Sequence, residues 1–242
     1  MRLAWKTYPR YTPGNMVLPS DDYTEEPGRD TVSLPLFPLN LVLFPGMPLP
    51  LHIFEERYKA MIGECLDTEQ PFGIVLIKEG LEVGEPADPF MTGTSARIVQ
   101  VDRMDDGRMN ILTHGERRFR VIEITQKEPH LAARVQYLDE AAGDTPSQML
   151  AEIVEGYSSY LRNIEALSGG WTANANLPQE PVLLSYALAG SLDLPTGIRQ
   201  QLLESATAAL RLEILAPLLK RGNEILLEEV AKRNPFQGPR LN

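Results

Sequence analysis

Between Thr31 and Phe54 the chain reads TVSLPLFPLNLVLFPGMPLPLHIF, with no Asp, Glu, Lys or Arg and with five prolines. A run this long and apolar reaches the roughly 20 residues that a membrane-spanning helix needs. The prolines exclude that helix, because each removes a backbone donor and clashes with the preceding turn, at about 3 kcal/mol apiece in a helix interior. Pro35-Leu-Phe-Pro38 fits the PxxP spacing of proline-rich ligands, but such ligands sit in polar, extended linkers. What remains is short extended segments broken by turns. VSLPLF and MPLPLHIF read as strands, with Phe44-Pro45-Gly46 as the turn signal between them. Proline inside a strand confines it to an edge or a bulge. The run is therefore read as the buried opening of a β-domain.

The remaining sequence divides at about residue 141. Residues 1–30 have no sustained period and are expected to form an extension outside the core. Over 31–140 the pattern is β with one inserted helix. In EERYKAMIGECLD, Tyr58, Met61, Ile62, Cys65 and Leu66 share one helical face. FGIVLIK reads as a fully buried strand, and EGLEVGEPADPFMTG as a long acidic loop. TSARIVQVDRM then turns at Asp105-Asp106-Gly107 into RMNILTHGERRFRVIEITQ, which a bulge or sharp bend at Gly115 is expected to split into two strands. HLAARVQYL adds another. Six or so strands suggest a small, strongly curved sheet or barrel. From 141 to 235 the period is helical, with a stripe from Met149 to Ile164, short helices in PQEPVLLSYALAGSL and TGIRQQLLE, and a longer one containing Pro217. A non-helical tail is expected over 236–242.

Chemistry-bearing motifs are scarce. There is no P-loop, GxGxxG fingerprint, HExxH or GxSxG in the 242 residues. The single cysteine, Cys65, excludes an intrachain disulfide and a multi-cysteine zinc site, and its place on an apolar face marks a structural thiol. No cofactor or metal is expected. His52, His114 and His130 each stand alone in their segment, and His52 is the best placed for a site, between strand and helix. A net charge of −10 opposes a general nucleic-acid role. Arg117, Arg118 and Arg120 form the densest basic patch, with Arg118 and Arg120 expected on one strand face. They could contact an anion or pair within the acidic fold. The N-terminus has no apolar signal region, so a cytoplasmic protein is expected.

The stretch LPLFPLNLVLFPGMPLPLHIFEERYKAMI closely resembles the start of the N-terminal, substrate-binding domain of the Lon protease family. FGIVLI, GTSARIVQV, the Asp-Gly turn and GERRFRV extend the match, and LPTGIRQQLLESATAALRLEIL resembles that family's helical part. The resemblance covers about residues 31–233. It implies an α+β fold: a PUA-like β-barrel with an inserted helix over 31–140, followed by a helical bundle over 141–235. It further implies a non-enzymatic module that recognises polypeptides, without the ATPase and Ser–Lys peptidase modules of a full Lon protease. The expected partners are unfolded or damaged polypeptides, or a dedicated protein partner. At the strand–helix junction, His52, Phe54, Glu56, Arg57 and Tyr58 are the candidate peptide-binding residues, and Glu56-Arg57 matches the family's helix opening. The alternative at each position is a core ring or a solvated charge. PUA-like folds elsewhere bind RNA, which is the competing function, with Arg117, Arg118 and Arg120 as its footprint. A hydrolase is the least supported reading, since nucleophile, base and oxyanion donor would all come from isolated residues.

Overall fold

The computed structural model describes residues 31–80, 88–168 and 177–233; the extension expected over 1–30 and the tail over 236–242 lie outside them. The elements in chain order are β1 (Thr31–Leu39), β2 (Pro48–Ile53), α1 (Glu56–Thr68), β3 (Phe72–Glu79), β4 (Asp88–Arg103), β5 (Met109–Gln126), β6 (Leu131–Tyr137), α2 (Ser147–Ser168), α3 (Pro181–Ser191), α4 (Thr196–Glu204) and α5 (Ala208–Arg233). The fold is α+β. Two compact units divide it: the strands with α1 and α4 form one, and α2, α3 and α5 the other.

In the sheet unit the pairings run β5–β4–β3–β1–β6 and return to β5, so the strands follow a closed ring. All pairs are antiparallel except β1 with β3. β2 joins outside the ring, on the first half of β5. The uncharged opening run is thus β1, a turn at Gly46 (φ 79°), and β2. β2 lies at an end of the pairing order, as its prolines require. β1 does not: it lies between β3 and β6. It tolerates proline because its two flanks are occupied in turn. β6 pairs with Thr31 to Leu36 and β3 with Leu36 to Leu39. Pro35 and Pro38 therefore each have one flank without a paired strand.

Alternation splits the core into two layers. Leu34 and Leu36 of β1 face the ring interior with Val75, Phe119, Val121 and Val135. Phe37 and Leu39 face the other way, onto Tyr58, Met61, Ile62 and Cys65 of α1. Both faces of β1 and β3 are covered, so both read as continuous apolar runs rather than alternating ones. The helix face expected from spacing is the one buried.

Two strands depart from the sequence reading. β4 begins at Asp88, so the last six residues of the expected acidic loop, Asp88 to Gly93, are strand; residues 81–87 of that loop lie outside the described residues. β5 is one strand of 18 residues rather than two. The bulge expected at Gly115 is present but does not divide the strand: Thr94 pairs with Arg118 but Ala96 with Gly115. Glycine is required there because a Cβ would stand 2.5 Å from the Phe44 carbonyl oxygen. The turn after β1 is bonded onto this point, through Gly46 N–H to Gly115 O at 2.8 Å and Gly115 N–H to Met47 O at 2.9 Å.

Helix α4 falls within the stretch whose periodicity is helical, yet it packs with the sheet. Gln200 donates from Nε2 to Thr92 O at 3.1 Å, and Arg118 from Nη1 to Leu203 O at 2.7 Å. In the helical unit α2 and α5 meet at glycines. Leu219 lies against Gly156, Tyr160 against Gly222, and Asn223 Nδ2 donates to Gly156 O at 2.8 Å. The fully buried Arg211 is held there by Glu140 at 3.3 Å, by Ser185 Oγ at 2.9 Å and by the Tyr186 ring.

Candidate functional site

The strand–helix junction arises where β2 ends and the chain turns into α1 at Glu55, whose extended backbone starts the helix without a side-chain cap. His52 is the last outward-facing residue of β2 and stands opposite Asn110 of β5. Its Nδ1–H donates to Asn110 Oδ1 at 2.7 Å. Phe54 lies just beyond the strand, 38% exposed, with its ring centroid 6.0 Å from that of His52. Arg57 is fixed by Glu55 at 2.9 Å and lies over the Tyr58 ring at 4.6 Å. Glu56 is exposed and accepts from Lys59 at 2.9 Å.

Tyr58 is not part of this surface. It is 3% exposed and stacks on Phe37 with centroids 4.0 Å apart, so its ring belongs to the core beneath. Of the five junction residues, His52, Phe54, Glu56 and Arg57 reach the outside; Tyr58 supports Arg57 from within.

The junction continues into a face that periodicity alone did not assign. Outward positions of β2, β5 and β4 align in three rows: His52–Asn110–Asp102, Pro50–Leu112–Gln100 and Pro48–His114–Arg97. Between Ile98 and Gln100 the register of β4 slips, and Val99 at that irregularity is 52% exposed. The middle of the face is therefore uncharged and mostly apolar, made of Pro50, Leu112, Val99 and Gln100, with Pro48 adjoining it. One end carries the Arg97–Glu116 ion pair, and the other the His52–Asn110 bond and Asp102. Burial lowers the pKa of His114, so its ring is neutral near pH 7. The alternation of Asn110, Leu112 and His114 was the available signal for this face. The slip that exposes Val99 had none.

The three arginines do not form one patch. Arg117 and Arg120 are exposed, whereas Arg118 is 2% exposed and spends a donor on Leu203 O. The pairing is regular from Arg118 to Arg120, so the two share a strand face as expected, but α4 covers Arg118 through Leu203 while Arg120 stays exposed. Arg117 lies over the Tyr137 ring at 4.3 Å. Cys65 is buried, and that burial, then the nearby Glu64, pushes its thiol up to about 11. A protonated, enclosed thiol is a poor nucleophile. Among the described residues, no group of His, Cys, Asp and Glu could hold a metal ion, and no helix is long and apolar enough to cross a membrane.

Comparison with known proteins follows the same residues. The substrate-binding domain of ATP-dependent protease La (LON) matches residues 33–221. The Lon protease of Anaeromyxobacter dehalogenans is 30% identical over 199 residues, which cover 80% of this chain and 24% of that protein. The Lon protease of Escherichia coli K12 is 25% identical over 209 residues, covering 84% and 26%. The chain thus spans about a quarter of the length of these relatives. Among solved structures, the Lon N-terminal domain protein from Xanthomonas campestris aligns with a TM-score of 0.60 at 28% identity, covering 76% of this chain and 96% of that one. The N-terminal domain of Lon protease from the Mycobacterium avium complex aligns at 0.58 and 21% identity, covering 78% and 98%, and shares the fold.

Proposed function

The chain belongs to the Lon substrate-binding domain family, and from that premise we propose that it recognises unfolded or damaged polypeptides and releases them unmodified. The observation that carries this reading is the outer face of β2, β5 and β4, where Pro48, Pro50, Leu112 and Val99 lie together with Phe54 at the His52 end. Soluble domains seldom leave contiguous apolar side chains in water without a binding role. The rims are polar and ion-paired, which gives a bound chain anchors without a strong field. His52, Phe54, Glu56 and Arg57 contribute the junction end of the site. No cofactor enters this scheme, and a cytoplasmic setting belongs to the same proposal.

The test is a fluorescence-anisotropy titration of a labelled, permanently unfolded polypeptide, with a folded protein and a short RNA as controls. Saturable binding to the unfolded chain alone, weakened by Phe54→Ala in a variant with an unchanged unfolding transition, supports the reading. No binding up to tens of micromolar, weaker than about −6 kcal/mol, overturns it. Salt-dependent retention of the RNA instead would favour the nucleic-acid reading.

A further inference from the structure

The backbone of β2 has two sides, and the prolines choose between them. Hydrogen-bonded and non-bonded pairs alternate along an antiparallel ladder. Gly115 N–H donates to Met47 O at 2.9 Å, one step before the strand. In the same register, Leu49 opposite Thr113 and Leu51 opposite Ile111 are the bonded positions. Pro48, Pro50 and His52 therefore turn their backbone groups away from β5. That side is the end of the pairing order, and no described strand lies along it. It offers three carbonyls but only one N–H, that of His52, because proline has none. A strand added there would find acceptors for its amides and almost no donors for its carbonyls. The edge is blocked against strand addition.

The same three residues point their side chains onto the apolar outer face. The charges around that face are unevenly spent. Arg57, Lys59, Arg97 and Arg108 are all in ion pairs; Arg103 donates to the neutral Met109 sulfur and keeps its charge, but alternation sets it on the strand face opposite Asp102. Asp102 and Asp105 are exposed and enter no ion pair among the described residues. On the outer face at the β4–β5 hairpin end, the unpaired charge among the described residues is therefore that of Asp102, which is negative.

Resting on the function proposed above, we infer that the bound segment is an apolar stretch of unfolded polypeptide with a basic flank, read through its side chains and not by strand pairing with β2. The apolar side chains lie over Val99, Leu112 and Pro50, and the basic residue lies toward Asp102. Backbone amides of the client contribute little, so proline-containing segments bind as well as others.

The test uses the full chain and a fluorescent peptide of Leu, Phe, Ser and Gly with a lysine pair at one end. Two further peptides carry N-methyl groups on alternate amides, one in each register. Both are expected to bind within about threefold of the parent, whereas replacing Leu and Phe with Ser weakens binding about tenfold or more. Changing the lysines to glutamates weakens it by about threefold or more. Val99→Asp and Leu112→Gln each reduce binding in variants with unchanged unfolding transitions. If one N-methyl register abolishes binding and the other does not, strand addition is the mode and this inference fails while polypeptide recognition stands. Lysine-to-glutamate changes without effect overturn the charge assignment, and retained binding by both face variants overturns the location. A parent peptide that does not bind at all overturns the recognition reading itself, and this inference with it.

Discussion

Arg118 of β5 donates from Nη1 to the carbonyl oxygen of Leu203 at 2.7 Å, inside the sheet unit. This bond ties α4 to the strands across 85 residues of sequence, and it explains why a basic residue stands where a core residue would be expected. Removing the side chain leaves a buried carbonyl without that donor and a cavity the size of an arginine. Arg118→Ala is expected to lower stability by about 3 kcal/mol. Urea unfolding of the variant beside the wild type checks it. A loss under about 1 kcal/mol contradicts the tie.

Gly115 makes a second structural prediction. A Cβ there meets the Phe44 carbonyl oxygen at 2.5 Å and the Leu43 side chain at 3.1 Å. The obstacle is backbone, which cannot rotate away. Gly115→Ala is expected to cost about 2 to 3 kcal/mol, read as a lower Tm. Gly197→Ala is the control, since nothing lies within 4 Å of its Cβ position.

Cys65 sets a pH dependence. Its folded pKa is raised from 9.0 to about 11, chiefly by burial. The unfolded chain therefore loses this proton first as pH rises. The contribution of the protonated thiol to stability is full below pH 9 and is lost as pH climbs toward 11. Cys65→Ala should flatten that decline in a series of urea titrations. The folded protein should also resist iodoacetamide at pH 8 and react only once unfolded.

Much of this was readable from residue order, and the missed parts share one cause. The buried face of α1 followed from apolar spacing, and the 105–107 turn from an Asp-Gly pair whose glycine does take a positive φ, 78°. Pro48 and Pro50 announced an edge strand because the absent N–H is a covalent fact. Pro35 and Pro38 announced the same for β1 and misled, since the switch of neighbours at Leu36 comes from ring closure. Val99 was missed because a register slip in β4 exposes it, and the burial of Arg118 because α4, 85 residues away in sequence, packs over its strand face; both arise from contacts with distant segments. Half of the candidate face, contributed by Asn110, Leu112 and Val99, depends on that long-range register. The junction residues are local, so they could be named from sequence, although burial of Tyr58 could not.

Pro50 predicts an outcome away from binding. Restoring a donor on the free edge of β2 opens it to pairing with another copy. Pro50→Val, and more so the double change with Pro48→Val, is expected to shift sedimentation toward dimers or larger species. A variant that sediments as the wild type contradicts the blocked-edge account.

The central claim is that the outer face of β2, β5 and β4 receives a polypeptide. The most direct measurement is methyl NMR of the labelled full chain during titration with a reduced, carboxymethylated polypeptide. The account predicts shifts at Val99 and Leu112, with the ring-interior methyls of Leu36 and Val75 unmoved. Binding that leaves Val99 and Leu112 unmoved while shifting Ile225 and Leu227 of α5 would contradict it.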